Sequence, residues 1–430
     1  MKKLTPLIAT LFIFISCNND KKIIVDRGFI DSLISNYTEP VAIKFNKGEI
    51  EFWGKRINPA NPGFVNETKY AGALAVRFHL KGDIKDIKLA DSVLYKVDSD
   101  FDHKEAAPLV SLASHAITQH QFKKADSLLE MAKKIGLKKY ESIATSFDVD
   151  FELGRYDLCA NELRTIRSSN DYGYFFRKSK FEHYKGNLDS SIKAMLTASD
   201  LAGESIPLKQ AALSNAADLY IHSGKLQKAA DLYMESIHLS ASDLHSITGL
   251  GWIALVHDKN DSLATKIFEF VHSKSQAPDP LFKLSQVAEA TGDSSLQLKY
   301  AKEFAKVTAD SAYGNMYNKY LIELYTGILN DPTKAEFISK KELTSRATPQ
   351  TYAWYVWSLF SNDKKEQAYS YYEKFVSGKP LEGLELYYMG KMMQALKKGY
   401  NAQQFFKAAF DNKYDLSPSK VKDLEAALKE

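Results

Sequence analysis

The chain has 430 residues, 45% of them apolar and 26% charged, with a formal net charge of +4. That length would ordinarily fill two or three globular domains, and the apolar fraction is enough for a large buried core. The charge is too slight and too evenly spread for a nucleic-acid partner, which needs a concentrated basic field, and it falls further if Lys2 and Lys3 leave with a leader.

Met1-Lys2-Lys3 is a short basic start, and Leu7 to Ile15 is an apolar run too short to span a bilayer as a stable helix. Phe14-Ile15-Ser16-Cys17 then resembles the lipobox of bacterial lipoprotein signals, with Phe14 where that family usually has Leu. The resemblance implies a signal peptide over 1–16, cleavage before Cys17, and a diacylglyceryl group and palmitate on Cys17. Several acyl chains together give durable anchoring. Residues 17–25 read as the lipidated cysteine and a polar tether. Asn18 is not the Asp of the inner-membrane retention signal, which points to the outer membrane, with the face undetermined. The remaining cysteine, Cys159, has no intramolecular partner in a mature chain and sits in an apolar helical pattern, so it reads as an inert core residue.

Residues 26–66 fit no repeat and read as an N-terminal capping segment. Asp26 to Ile34 is consistent with a short amphipathic helix, and Asn58 to Gly63 is a loop by its Pro, Asn and Gly breakers. Between them, Phe45, Phe52 and Trp53 are expected to plug the open end of the first repeat.

From 67 to 415 one figure recurs at about 34 residues. Leu213, Ala216, Ala217 and Tyr220 follow helical spacing, Gly224-Lys225-Leu226 interrupts it, and Ala229, Tyr233 and Ser236 resume it. The same helix, turn, helix pattern is carried by Leu74 to Leu94, by His120 to Ala132, by Leu153 to Leu163 and by Gly186 to Ala198. It continues through Gly251 to Phe268, Gly292 to Phe304, a degenerate Tyr313 to Leu343, Tyr355 to Phe375 and Gly390 to Ala409. These units resemble the tetratricopeptide consensus. The resemblance implies an all-α, right-handed superhelical solenoid of about ten helix pairs. Ser417-Pro418 begins a last helix within 416–430 that is expected to cap the final pair, Pro418 standing at a first-turn position that needs no N–H.

Catalytic and metal signatures are missing: no His-Glu-x-x-His, Cys-x-x-Cys, phosphate loop or Gly-x-Ser-x-Gly elbow occurs. Gly249-Leu250-Gly251 lies inside a repeat helix, where Gly251 reads as the small packing residue. His183, His222 and His245 fall in different pairs without metal-ligand spacing, and Asp148 and Asp150 read as solvated carboxylates. Asp-Ser followed by an aliphatic residue resembles the O-glycosylation sequon of exported Bacteroidota proteins, with Ser262 and Ser311 as the turn-borne candidates. Repeats behind a lipobox resemble the tetratricopeptide lipoproteins of that phylum.

In tetratricopeptide superhelices the first helix of each pair lines the concave surface. That register puts Phe151, Phe176, Tyr184, Trp252, Phe282, Tyr317, Trp357, Phe360 and Tyr387 on an aromatic groove. The Lys and Asn clamp with which cochaperone members hold a terminal carboxylate is not repeated here. The resulting expectation is a non-enzymatic, membrane-anchored scaffold that holds an envelope protein or peptide segment in the groove, without a cofactor. The alternative is a glycan- or nutrient-binding lipoprotein resembling the SusD-like group, which interrupts its repeats with long insertions that this chain does not have.

Overall fold

A computed structural model describes residues 22–429, so the proposed signal peptide and Cys17 lie outside the described residues. Within them the chain is all-helical, without a strand. Two helices, α1 (Arg27–Ser35) and α2 (Val41–Gly54), come first. Ten pairs follow, starting with α3 (Phe64–Lys81) and α4 (Ile84–Asp100), α5 (Ala106–Thr118) and α6 (Phe122–Ile135), α7 (Lys139–Glu152) and α8 (Tyr156–Thr165). Next are α9 (Tyr172–Tyr184) and α10 (Leu188–Leu201), α11 (Ile206–His222) and α12 (Leu226–Leu239), α13 (Leu244–Val256) and α14 (Asp261–Lys274), α15 (Asp279–Thr291) and α16 (Ser294–Val307). The last three are α17 (Asn318–Thr326) and α18 (Pro332–Ser345), α19 (Pro349–Ser361) and α20 (Lys365–Phe375), α21 (Gly383–Ala395) and α22 (Gly399–Asp411), before the terminal α23 (Pro418–Ala427). The solenoid and its pairs are those the sequence predicts.

Local chemistry sets the helix starts. Asn260, Asp293 and Asp331 each turn a side-chain oxygen onto the backbone N–H three residues on, and Thr348 and Thr351 bond each other's backbone N–H at the start of α19. Small residues then set the spacing within a pair. Ala229 and Ala264 are fully buried, and a methyl on Gly251 would come within 2.6 Å of the Phe268 ring. Gly249 is tighter still: a methyl there would lie 2.3 Å from Tyr233. Cys159 is buried against the Phe147 carbonyl, and burial pushes its thiol up to about 12, which leaves it unreactive.

The solenoid winds so far that later pairs meet earlier ones. Gln276 donates its backbone N–H to the Lys81 carbonyl at 2.7 Å, where Gly82, at φ 72°, leaves no room for a Cβ beside Ala277. Asn315 N–H reaches the Gln119 carbonyl at 3.0 Å, and Gln119 donates from its amide to the Ala312 carbonyl at 2.9 Å. The open concave groove expected from the repeat register is therefore closed over by the chain's own second half.

Three further expectations change. Phe45 and Phe52 are exposed and plug nothing, because α2 turns Asn46 and Ile50 toward α3; the Asn46 amide donates to the Ala73 carbonyl at 2.8 Å. Helix α1 leaves the first pair altogether and packs on α12 and α14, with Phe29 against His238, Tyr37 against Phe270, and the N–H groups of Ile24 and Val25 on the Asp258 carboxylate at 3.0 and 2.9 Å. Asp150 is buried and not solvated, held by Arg155 at 2.9 Å.

Candidate functional site

The interior contains two adjoining, half-open cavities, of about 320 and 290 Å³. Lys319, Tyr320 and Glu382 line both and stand where the two adjoin. Its walls come from the first helices of several pairs: α7 and α9 around the smaller cavity, α11, α13 and α15 around the larger, with α17 and the start of α21 between them.

The walls are charged, and almost every charge is matched. Asp218 accepts from the Tyr233 hydroxyl and pairs with His245 at 2.8 Å. Burial pushes the Asp218 carboxyl up, but the His245 charge and these two hydrogen bonds outweigh it and hold the group low. The Asp218 charge in turn raises His245 to about 9. His222 bonds Asp415 at 2.7 Å, and although burial alone would lower it, that carboxylate raises it. Lys319 lies 3.3 Å from Glu385 and 3.7 Å from Glu382; burial acts against its charge and the two carboxylates prevail, raising it. Arg346 joins Glu342 at 2.9 Å to Glu152 at 3.3 Å, closing α18 against α7. Lys420 of α23 spans Glu323 at 2.7 Å and Glu289 at 3.7 Å, so the C-terminal helix ties α15 to α17 from within the superhelix.

Two groups on α15 stand outside this matching. The Lys283 ammonium lies 3.7 Å over the Trp252 ring, and no carboxylate among the described residues is within ion-pair distance. Burial pulls its amine down to about 8. One turn on, Gln286 is 9% exposed and its Oε1 has no hydrogen-bond partner.

The predicted groove aromatics divide. Phe151 and Tyr184 line the smaller cavity, where Tyr184 stacks on Tyr156 at 3.5 Å between ring centres. Trp252 lines the larger one but is buried, its Nε1 donating to the Tyr414 carbonyl at 2.8 Å. Trp357 and Tyr387 share a separate cleft of about 230 Å³, Trp357 stacked on Tyr388 at 4.4 Å and Tyr387 donating to Asp423 at 2.7 Å. Phe282 and Tyr317 are core: Phe282 packs on Tyr320, and the Tyr317 hydroxyl donates to Asp279 at 2.7 Å. Phe176 and Phe360 are half-buried in seams, stacked on Tyr172 and Trp357. The first helices of several pairs line the interior. The register could not say that the interior closes, which turns three of these rings into packing.

Sequence reasoning missed Lys283, Gln286, Lys319, Glu382 and Glu385. A signal was present: Lys283 and Gln286 interrupt the apolar run Leu281 to Val287 one turn apart, and Glu385 interrupts Leu384 to Leu386. Polar residues on the inward face of a packed helix need partners, and asking for those partners would have flagged them. Of the histidines, the His183 and His222 rings lie tilted to each other with centres 5.1 Å apart, His245 is engaged with Asp218, and no group of three metal-ligating side chains occurs among the described residues. Ser262 and Ser311 are exposed.

No protein-family model matches the chain, and no curated protein matches it in sequence. Among solved structures, PilF of Pseudomonas aeruginosa is similar at 13% identity over 52% of this chain and 98% of that one, with a TM-score of 0.36. A tetratricopeptide repeat protein from Parabacteroides merdae shows 15% identity over 68% and 99%, with a TM-score of 0.33. The tetratricopeptide repeat sensor of a signal-transduction ATPase from Pyrococcus horikoshii shows 16% identity over 88% and 57%, with a TM-score of 0.42. Likeness at this level carries no conclusion about what this chain binds.

Proposed function

We propose that the chain is a lipid-anchored outer-membrane scaffold that holds an extended segment of an envelope protein in the interior of its solenoid. The observation that carries this reading is the pair of cavities that adjoin at Lys319, Tyr320 and Glu382 along the inward faces of the repeats. An elongated site of this kind suits a chain segment better than a compact metabolite. Its charges are largely paired already, so it suits a segment of low net charge. The glycan reading asks for open aromatic faces, whereas Lys283 covers one face of Trp252 and Tyr388 one face of Trp357.

The anchor reading rests on the lipobox-like run Phe14 to Cys17. The expected test result is that a photo-crosslinking amino acid at Tyr320, in the full chain in native membranes, captures a discrete envelope protein, while the same residue at exposed Phe337 does not. Equal capture at both positions would place binding outside the interior. Loss of fatty-acid labelling in Cys17→Ser checks the anchor, and labelling that persists would refute it.

A further inference from the structure

Helix α2 packs on α3 through one face, with Ile50 against the core that holds Ala71 and Leu74 and the Asn46 amide on the Ala73 carbonyl. The opposite face carries Val41, Phe45, Gly48 and Phe52, at steps of four, three and four, which at 3.6 residues per turn form one stripe about 16 Å long. The stripe is bare: Val41 and Phe52 are exposed, and Phe45 is 67% exposed. Exposed Lys44 stands beside it, and exposed Lys55 and Arg56 follow its end, the Arg56 guanidinium lying 3.4 Å from the centre of the Phe52 ring. Over 41–56 the four cations Lys44, Lys47, Lys55 and Arg56 outnumber the two carboxylates Glu49 and Glu51. Phe337 on α18 makes the contrast. It is 68% exposed, but the neighbours on its face are Thr333, Lys334, Lys340 and Lys341, so it is a single surface ring that needs no partner.

Ile50 and Asn46 fix the roll of α2, so the chain cannot bury this stripe by rotating the helix. The stripe runs along one helix and not between two, which makes it a ridge with apolar side chains on its crest and long cationic side chains at its ends. Apolar and aromatic side chains on such a ridge settle at the boundary between acyl chains and headgroups, and lysine and arginine stems reach from there back to the phosphates. A second copy laid antiparallel on the ridge would instead set cations against cations. We infer that the outward face of α2 docks on an anionic phospholipid surface, with Val41, Phe45 and Phe52 entering the interface and Lys44, Lys55 and Arg56 meeting phosphates. This docking goes beyond the scaffold reading and does not depend on Cys17. It fixes which side of the solenoid faces the bilayer, whereas a lipid on a tether limits only the distance.

The test uses the full chain with vesicles of phosphatidylethanolamine and phosphatidylglycerol, a photo-crosslinking phenylalanine analogue replacing Phe45 or, as the matched control, Phe337. Lipid adducts read by mass spectrometry should be about tenfold more abundant at Phe45. Gly48→Glu sets a carboxylate in the middle of the stripe, where nothing lies within 4 Å of the new Cβ, and should cut the Phe45 adduct about tenfold without lowering the melting temperature. Gly48→Lys, whose stem can carry its charge out to the phosphates, should cut it far less. Vesicles of phosphatidylcholine alone should give several-fold fewer adducts than the anionic ones. Equal yields at Phe45 and Phe337, equal losses for the two Gly48 variants, equal yields from the two kinds of vesicle, or adducts at Phe45 with a second copy of the chain in place of lipid would each overturn the inference. Repeating the comparison in Cys17→Ser separates it from the anchor. The excess at Phe45 over Phe337 should persist there, and its loss would show that the face has no affinity of its own and refute the docking. Fatty-acid labelling that persists in Cys17→Ser would sink the anchor and leave the α2 result standing.

Discussion

The seam between α13 and α14 and the interior wall carried by α11, α15 and α17 adjoin each other and are held by opposite means. In the seam, Gly251 meets Phe268, Ala264 is fully buried, and Ile253, Ile267 and Phe268 exclude water completely. On the wall, carboxylates pair with histidines and lysines along the cavities: Asp218–His245 joins neighbouring helix pairs, Lys319–Glu385 joins α17 to α21, and His222–Asp415 joins residues far apart in the chain. The seam is a nearest-neighbour structure, as repeat packing requires. The His222–Asp415 and Arg346–Glu152 pairs exist only because the winding brings distant helix pairs together, so they record the tertiary closure that the seams alone would not enforce.

The strongest way to break this comparison is at Trp252, which belongs to both. Its ring is buried and its indole N–H ties α13 to the Tyr414 carbonyl, so Trp252→Ala should cost about 3–5 kcal/mol in thermal or denaturant unfolding. Trp357→Ala, at a half-buried ring, should cost visibly less. Equal losses would mean that Trp252 and Trp357 do the same work and that closure at Tyr414 adds nothing.

Glycines sharpen the seam side. Gly249→Ala drives a methyl into Tyr233 and should destabilise by about 1–3 kcal/mol, as overpacking does. Gly48→Ala, in the exposed middle of α2 with nothing within 4 Å of the new methyl, should stabilise by about 1 kcal/mol or less through helix propensity alone. The two melting curves should move in opposite directions. If Gly249→Ala also stabilises, the seam is looser than the structure has it.

The wall side has the smallest effect and a pH signature. His245 is raised to about 9 chiefly by the charge of Asp218, against an ordinary value of about 6.5. The folded protein therefore binds that proton more tightly than the unfolded chain. This contribution is fully present below about pH 6.5, declines as pH rises, and is gone above about 9. The side chain is 60% exposed, so the effect is at most a modest fraction of the total stability. Asp218→Asn should flatten the stability profile over that window, and an unchanged slope would show that the pair is not charged in the folded state.

The contrast between seam and wall also explains what was legible before the fold was known. Ala217, Ala229, Gly251 and Ala264 sit at spacings that only paired helices use, and each turn signal lies within a few residues of the helices it separates. Seam partners such as Gly251 and Phe268 are neighbours in the same repeat, so local pattern was enough to find them. Trp252 and Tyr414 are 162 residues apart, and His222 and Asp415 are 193 apart. No spacing rule reaches across that distance. Phe282 and Tyr317 are core because they share one buried cluster with Phe78, Ile84 and Ile87 of the first pair.

From the sequence alone came the all-α class, the pairs and their turns, the small residues of the seams, and the inertness of Cys159. All of these depend on interactions within one repeat or with the next, and such interactions leave a periodic trace in the chain. The tertiary structure alone decided that the superhelix closes its own groove, that α1 straps onto α12 and α14, and that Lys283 and Gln286 remain uncommitted inside. Those outcomes depend on small rotations between successive pairs, summed over many repeats until distant surfaces meet, and a sum of that kind has no local signature.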